Sequence, residues 1–292
     1  MDSLNQRARH IFLSPHLDDA VFSCGGLIAK AVSLGCPVEV RTFYTGQADG
    51  AAVPRRQRKA AATGERKRED STALDHLGAT PVWLDYTGRF LRPPWLERPL
   101  HIFRTPSEAG LGGFPNIPSI RRDLSRLLNE WPQAYLFAPL GVGGHYDHVE
   151  LFLASITTAV EEDALDRFLF YEDSYSLGTR MRKRHFVARR VCWSWWQAPA
   201  CRSIAWFVIS NLMASQGKGR AVLEFLPPHY RRLQWTVRLE AIQNFEDQKL
   251  DALSAYESQV KALGGAPMFA RIIRHYHRFW GNAEPYWVAG QC

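Results

Sequence analysis

The chain of 292 residues lacks several features that would place a protein in a function class at once. Its most apolar stretch, residues 203–215, is shorter than the roughly 17–25 residues that a transmembrane helix needs. The first ten residues, MDSLNQRARH, contain no apolar segment typical of a signal peptide. There is no low-complexity tract and no long internal repeat, which excludes fibres and solenoids. We therefore expect a soluble, cytoplasmic protein without a transmembrane segment.

Cysteine is scarce as well. The five cysteines are odd in number and include no Cys-x-x-Cys pair. This pattern fits a reducing compartment better than a disulfide scaffold. Apolar residues make up 46% of the chain and charged residues 22%, which is the usual mixture of a globular protein and excludes an intrinsically disordered one.

Positive charge permits a nucleic-acid partner without identifying one. Lys and Arg number 36 against 29 Asp and Glu, for a net charge of +7. The basic runs at 55–59 and 66–68 could follow phosphates, but a solvated helix face explains them more simply. No nucleic-acid-binding motif accompanies the charge. We therefore expect no nucleic-acid partner, and keep a basic nucleic-acid-binding protein as the least favoured alternative.

Short apolar runs alternate with helical patterns over the first 175 residues. The predicted strands are 10–14, 37–44, 82–84, 135–139 and 168–172. The predicted helices are 27–34, 55–77, 117–129 and 149–159, and a further long helix is predicted later in the chain, over 239–263. This alternation predicts an α/β, Rossmann-like fold, with a mostly parallel sheet and helices on both faces. We expect one domain, 1–292, with a lid or pocket insertion near 176–235.

Two polar loops follow predicted strands of this sheet. The first is Pro-His-Leu-Asp-Asp and the second is Gly-Gly-His-Tyr-Asp-His. Ligands bind beyond the carboxyl ends of parallel strands, so the two loops are expected to meet. Imidazole and carboxylate are donors that a catalytic Zn²⁺ accepts. Each loop alone also has a plain reading, as a helix cap or a glycine turn. The candidate residues are His16, Asp18, Asp19, His145, Asp147 and His148.

These loops resemble those of the PIG-L/LmbE-type N-deacetylases. That family has a His-Pro-Asp-Asp-Glu loop after its first strand and a later His-x-Asp-His loop, and this chain has His-Leu-Asp-Asp-Ala and then His-Tyr-Asp-His in the same order. An Arg66-x-x-Glu69 pattern, the Tyr171-Glu172-Asp173 segment and the Ser258-Gln259 pair are also similar to the family's. The resemblance is good over residues 8–175 and thin beyond them.

The resemblance implies a zinc-dependent hydrolase that removes an N-acetyl or other N-acyl group from an amino sugar or glycoconjugate, with one divalent metal ion. It implies His16, Asp19 and His148 as metal ligands. Asp18 would be the general base, His145 would stabilise the oxyanion or protonate the leaving amine, Asp147 would orient a histidine, and Arg66 would face the substrate. Leu17 and Ala20 replace the family's usual Pro and Glu, neither of which is a metal ligand, so the ligand set is intact.

Some alternatives stay open. A catalytically idle relative would bind a sugar without cleaving it, and a homo-oligomer is not excluded. His275 and His277 would form a second metal pair if they lay on a strand, but an exposed basic tail is the preferred interpretation. The tryptophans near 193–206 would either stack on a substrate or pack in the core.

Overall fold

The computed structural model describes residues 8–46, 63–91, 103, 105–108, 110–216 and 221–290. Within this part of the chain, seven strands form one sheet in the order β3-β2-β1-β4-β5-β7-β6. The strands are β1 (His10–Ser14), β2 (Val38–Thr42), β3 (Thr80–Trp83), β4 (Tyr135–Pro139), β5 (Phe168–Tyr171), β6 (Gln234–Ala241) and β7 (Ala283–Gly290).

The first five strands are parallel, as the sequence predicts. Phe12 of β1 pairs in register with Val40 of β2 on one side and with Phe137 of β4 on the other. Strands that are buried on both faces read as continuous apolar runs, which is the pattern of β1 and β4. β7 is antiparallel to both β5 and β6 and extends the sheet at one edge. The predicted α/β fold with a mostly parallel sheet is confirmed.

Helices cover both faces of the sheet. One apolar core lies between the sheet and α1, α2 and α7–α9, and it takes Phe12, Val40 and Phe137 from the strands. A second core lies under α3 and α4, and it takes Ile11 and Leu136, the alternate strand positions. The helices are α1 (Asp19–Ser33), α2 (Thr63–Leu77), α3 (Ile117–Glu130), α4 (Tyr146–Glu161), α5 (Thr179–Lys183), α6 (Ile204–Gln216), α7 (Glu246–Ser254), α8 (Glu257–Ala262) and α9 (Ala266–Phe279).

The first helix begins eight residues earlier than predicted, at Asp19 instead of residue 27. Gly25 and Gly26 are typical of a loop, which is why the sequence predicts no helix here. In the structure, a carboxylate that is distant in the sequence stabilises the helix at this point. The helix is interrupted at Cys24 (φ −138°), and Glu284 accepts hydrogen bonds from the N–H groups of Gly26 and Leu27. A side chain at Gly26 would collide with Ile242. A tertiary contact therefore caps the restarted helix.

The long helix predicted over 239–263 is wrong in its first part. Residues 239–241 end β6, and two short helices, α7 and α8, follow it. β6 pairs along its whole length with β7, about fifty residues later in the chain. The sequence analysis predicts neither strand, because antiparallel strands that pair over such a distance carry little local signal. Of the predicted helix 55–77, residues 55–62 lie outside the described part.

The expectation of an exposed basic tail around His275 and His277 is also wrong. Both residues lie on α9, where positions two apart point to different sides. His277 is fully buried, and its Nδ1 lies 2.7 Å from Glu246 Oε1. Over the described residues, no helix is both long enough and apolar enough to cross a membrane.

A buried ion pair behind α1 gives a testable acid dependence. Burial alone raises the pKa of Glu284, but Lys249, whose Nζ donates to it at 2.6 Å, and His277 lower that pKa to about 2. The usual value is 4.5, so the unfolded chain takes up this proton first. The stabilisation by Glu284 is therefore complete above about pH 4.5 and is lost as the pH falls towards about 2.

We expect Glu284→Gln to be less stable than wild type at neutral pH, and the stability gap to narrow between pH 5 and pH 2. Urea unfolding across this range measures it. The exposed Glu257→Gln serves as the control, with no such gap. A gap that is independent of pH would contradict the assignment.

Candidate metal centre and active site

The two polar loops do meet at the carboxyl edge of the sheet. β1 and β4 are adjacent and parallel, so the loops that leave them start side by side. The ring of His16 lies 4.8 Å from that of His145 and 5.2 Å from that of His148, measured between centroids. One ring nitrogen from each of the three histidines lies within 4.8 Å of the others, a spacing that can hold a metal ion. Strand order alone therefore brings together two loops that lie about 130 residues apart in the sequence.

Local hydrogen bonds fix the first loop. The Ser14 hydroxyl donates to the carbonyl of His16 (2.7 Å) and accepts from the N–H of Ala20 (3.0 Å). The His16 N–H donates to Asp19 Oδ2 at 3.0 Å. The loop is therefore closed on itself before α1 begins, and its polar side chains are held at the sheet edge. Ala20 contributes here through its backbone, so the replacement of the family's usual Glu leaves this loop intact.

Asp18 has an unusual backbone conformation. Its φ of 134° lies in a region that non-glycine residues rarely adopt. Such strain costs on the order of 1–3 kcal/mol and is found where the surrounding structure imposes it, often at active sites. Here the Phe22 N–H bonds to the Asp18 carbonyl at 2.8 Å and holds this turn in place. The strain places the Asp18 carboxylate beside the histidines while Asp19 starts the helix.

In the second loop, glycines adopt the positive φ values that the turn requires. Gly143 and Gly144 have φ values of 91° and 71°, which a side chain would disfavour. They turn the chain from β4 to His145, after which α4 begins. Asp147 and His148 therefore lie in the first turn of α4, and both are buried.

Two histidines converge on one carboxylate oxygen. His16 Nδ1 and His148 Nε2 each lie 3.0 Å from Asp19 Oδ2. The other ring nitrogen of each histidine faces a second buried carboxylate: His16 Nε2 is 3.0 Å from Asp147, and His148 Nδ1 is 2.5 Å from Asp173. This is the arrangement in which a carboxylate fixes the orientation of a metal-binding histidine. The nitrogen and oxygen donors that face one another fit a divalent ion such as Zn²⁺.

Charges within the cluster are strongly coupled. Burial lowers the pKa of His148, but the carboxylates of Asp19 and Asp173 outweigh it and raise that pKa to about 10. Burial, followed by the neighbouring His16 and His148, holds the pKa of His145 well below its usual value. His145 is thus the histidine of the three that resists protonation. The ring of Phe103 packs edge-on against it, with centroids 5.4 Å apart.

Asp18 and Arg66 occupy the rim. The Arg66 guanidinium donates to the Leu17 carbonyl at 3.0 Å and to Asp18 Oδ2 at 3.3 Å. Burial raises the pKa of Asp18 to about 7, against the lowering effect of Arg66. Arg66 therefore contacts the proposed base as well as the cleft. The cleft itself is lined by His16, Leu17, Tyr44, Gly46, Thr63, Arg66, Gly88, Phe90, Leu91 and Asp147.

Comparison with known proteins identifies this constellation. The family model described as PIG-L, GlcNAc-PI de-N-acetylase, matches residues 11–159, just over half of the chain. The chain belongs to the PIG-L family. It is also similar to the 2'-N-acetylparomamine deacetylase of Streptomyces fradiae, with 32% identity over 180 residues. That match covers 60% of this chain and 60% of the relative, so the chain spans less than two thirds of the relative's length.

Solved structures share the fold across nearly the whole chain. Teicoplanin deacetylase in its zinc-inhibited form superimposes with a TM-score of 0.65 at 19% identity, covering 98% of this chain and 99% of that one. The A40926 pseudoaglycone deacetylase gives a TM-score of 0.64 at 21% identity, with 98% of each chain covered. N,N'-diacetylchitobiose deacetylase from Pyrococcus horikoshii gives 0.50 at 17% identity, covering 95% and 82%. At these identities the likeness establishes the fold alone.

Sequence reasoning missed several supports of this PIG-L site. Asp173 follows β5 and fixes the ring of His148. The family resemblance includes Asp173 in a similar segment but gives it no role. The Arg89 N–H donates to Asp147 Oδ1 at 2.8 Å. A Cβ at Gly88 would lie 2.9 Å from Asp147 Oδ2, so a side chain there would displace the carboxylate. The signal available in the sequence was an acidic residue at the carboxyl end of another parallel strand.

Asp173→Asn should weaken metal binding by about 10–100-fold, the usual cost of losing a ligand's hydrogen-bond partner. Asp173 accepts from two donors, His148 Nδ1–H and the Val142 N–H at 2.8 Å. An asparagine offers one oxygen and one NH₂, so one contact becomes donor against donor. Zinc titration against a competing chelator measures the change. Asp166→Asn, exposed and just before the same strand, is the matched control. Unchanged affinity in Asp173→Asn would refute this role.

Proposed function

We propose that this PIG-L family member is a zinc-dependent N-deacetylase acting on an acetylated amino sugar within a larger metabolite. One observation carries the proposal: His16 and His148 both face Asp19 Oδ2 at 3.0 Å while buried carboxylates hold their other nitrogens. The strained Asp18 directly precedes Asp19, and its carboxylate is held by Arg66, which lines the cleft. A ligand set beside a carboxylate base is what amide hydrolysis needs.

His16, Asp19 and His148 would hold the zinc ion. When bound, zinc acts as a Lewis acid that polarises the amide carbonyl and makes water more acidic. His145 lies within the same 4.8 Å group but is left outside the proposed ligand set. Its ring contacts those of His16, His148 and Phe103. Asp147 and Asp173 instead hold ring nitrogens of His16 and His148.

The protein's own groups then have separate tasks. Asp18 takes a proton from the water that attacks the acetyl carbonyl carbon. Arg66 holds the Asp18 carboxylate in position. His145 stabilises the oxyanion, or relays to the nitrogen the proton that Asp18 has taken from water, as the C–N bond breaks. Acetate and the free amine are then released. Asp147 orients His16.

The substrate class is supported by the relatives. One curated relative is a 2'-N-acetylparomamine deacetylase, and the structural neighbours act in teicoplanin and A40926 pseudoaglycone deacetylation by their names. Both kinds of compound carry amino sugars, so an aminoglycoside or glycopeptide precursor is the proposed substrate. None of the four described cysteines, Cys24, Cys36, Cys192 and Cys201, is in a disulfide, which supports the proposed cytoplasmic location.

Acetate release from a panel of N-acetylated compounds tests the function. The panel includes N-acetylglucosamine, 2'-N-acetylparomamine and N-acetylated glycopeptide precursors, each with and without added Zn²⁺. Free amine and acetate should appear in equal amounts, and a chelator should abolish both. Sugar binding without acetate release across the panel would favour the idle relative. If none of the compounds is bound or cleaved, the proposed substrate class is refuted.

We also propose that residues 176–235 flank the cleft and influence substrate choice. Two tryptophans hold this segment to the core: Trp193 packs on Phe279, and Trp206 stacks on Phe269 with centroids 5.6 Å apart. Trp196, in contrast, is 60% exposed. The segment therefore has both packed and exposed tryptophans.

Trp206→Ala should destabilise the protein by about 3–5 kcal/mol, because it removes a buried ring, and should leave KM of the folded enzyme unchanged. Trp196→Ala should leave the melting temperature near wild type and alter KM or substrate preference. Thermal unfolding and steady-state kinetics on both variants separate the two roles. Unchanged kinetics in Trp196→Ala, together with unchanged preference across the panel, would restrict this segment to packing.

A further inference from the structure

A second cleft lies outside the candidate active site. It opens between the short helical turn Pro199–Arg202 and α9, and it is lined by Gln197, Arg202, Arg271, His275, Arg278 and Phe279. It shares no lining residue with the cleft beside His16. Among the described residues, its ionisable lining consists of three arginines and one histidine, without a carboxylate.

The basic residues form one face of α9. Arg271, His275 and Arg278 occupy positions i, i+4 and i+7, which lie above one another on a helix. The other face is the apolar one that packs into the core, with Phe269, Ile272, Ile273, Tyr276 and His277 buried. Arg202 completes the cleft from the opposite wall. The Gln197 carbonyl is 3.1 Å from His275 Nε2 and ties the two walls together.

Two of these positive charges have no neutralising partner among the residues that the structure describes. The guanidinium groups of Arg202 and Arg271 make no ion pair or hydrogen bond with the residues that the structure describes. Arg274, on the same helix but not among the residues that line the cleft, pairs with Asp247 at 3.0 Å. The pKa of His275 is lowered first by burial and then by the charges of Arg202 and Arg278. Both arginines therefore act electrostatically on this imidazole.

The helix dipole accounts for only part of this arrangement. Cations near a helix C-terminus are stabilised, but the effect falls off within the last turn. Arg278 is in that turn, since α9 ends at Phe279. Arg271 lies two turns earlier, and Arg202 is not on the helix. Within the described part of the chain no carboxylate offsets the repulsion between Arg202 and Arg271, and an anion bound between them would do so.

We propose that this cleft binds the phosphate group of a small phosphorylated molecule. Guanidinium groups form bidentate hydrogen bonds with phosphate oxygens, and arginine is the residue that suits such recognition best. The Phe279 ring lines the cleft as well and offers an apolar surface for the uncharged part of the ligand. A soluble phosphate ester and a lipid headgroup share this chemistry.

Inorganic pyrophosphate is the probe, measured by isothermal titration calorimetry with the whole protein at low salt. Wild type should bind it, and Arg202→Gln and Arg271→Gln should each weaken binding about tenfold, because each removes a charge-assisted contact. Both side chains are exposed, so the variants should fold. Arg274→Gln removes an equal charge from the same helix outside the cleft and should bind pyrophosphate like wild type.

Two further ligands distinguish the sources. Tighter binding of ADP than of pyrophosphate would assign the cleft to a soluble ester. Cosedimentation with phosphatidylglycerol vesicles that pyrophosphate displaces would assign it to a lipid headgroup. Either result supports the phosphate site. No pyrophosphate binding by wild type, or equal weakening in Arg274→Gln, would overturn the proposal.

Discussion

Asp18→Asn should lower kcat by about 10²–10⁴-fold while zinc stays bound, because the substitution keeps the shape of the side chain and removes its ability to accept a proton. The Asp18 carboxylate belongs to the residue immediately before the proposed ligand Asp19, and it is held by Arg66 at 3.3 Å. It is therefore close to the proposed zinc site without being part of the ligand set. Steady-state kinetics on the best substrate of the panel, with zinc content measured on the same sample, test this role.

A matched control for this variant is Asp163→Asn. Asp163 also has a positive φ, 50°, and is exposed. It lies just after the C-terminal end of α4, whereas the site lies at the N-terminal end of this helix. It should retain wild-type activity, which separates the loss of the base from a general effect of the substitution on a strained backbone. Near-normal turnover by zinc-loaded Asp18→Asn would remove Asp18 from the mechanism.

His148→Ala should weaken zinc binding by more than about 100-fold, beyond the cost of losing a ligand's supporting hydrogen bond. His148 is fully buried, with Asp19 at one nitrogen and Asp173 at the other. Competition with a chromogenic chelator gives the affinity. His16→Ala, at a more exposed position, should show a similar loss, so the result does not depend on one core substitution.

His145→Ala distinguishes the two ligand sets that the histidine cluster permits. With His16, Asp19 and His148 as ligands, this variant should keep a zinc affinity close to wild type and lose kcat. With three histidine ligands, it should lose zinc as His148→Ala does. The second outcome would exclude His145 as the group acting on the oxyanion or leaving amine. Circular dichroism confirms that each variant is folded.

The site could be anticipated from the sequence because its chemistry sits in two short motifs. His16, Asp18 and Asp19 are nearly consecutive, as are His145, Asp147 and His148. Each motif follows an apolar run whose strand assignment needs only local information. Adjacent parallel strands then bring the motifs together. The side-chain contacts confirm this proximity, while the role of each residue stays a prediction.

The supports of the site could not be anticipated in the same way. Asp173 contacts His148, the Arg89 N–H donates to Asp147 and Phe103 packs on His145. These groups come from three separate segments, and the sequence motifs assign none of them a role. Their contribution depends on distances that only the packed sheet and loops determine. The restart of α1 after Cys24 is similar, since it depends on Glu284 at the opposite end of the chain.

Local sequence thus determined the parallel α/β core and the residue types of the metal centre, because strand propensity and motif spacing act over a few residues. Only the tertiary structure decided the edge of the sheet, where β6 and β7 pair across about fifty residues. It also decided that His277 is buried and that Arg202 joins Arg271 in one cleft. These features result from contacts between distant segments, whose free energy depends on the whole fold.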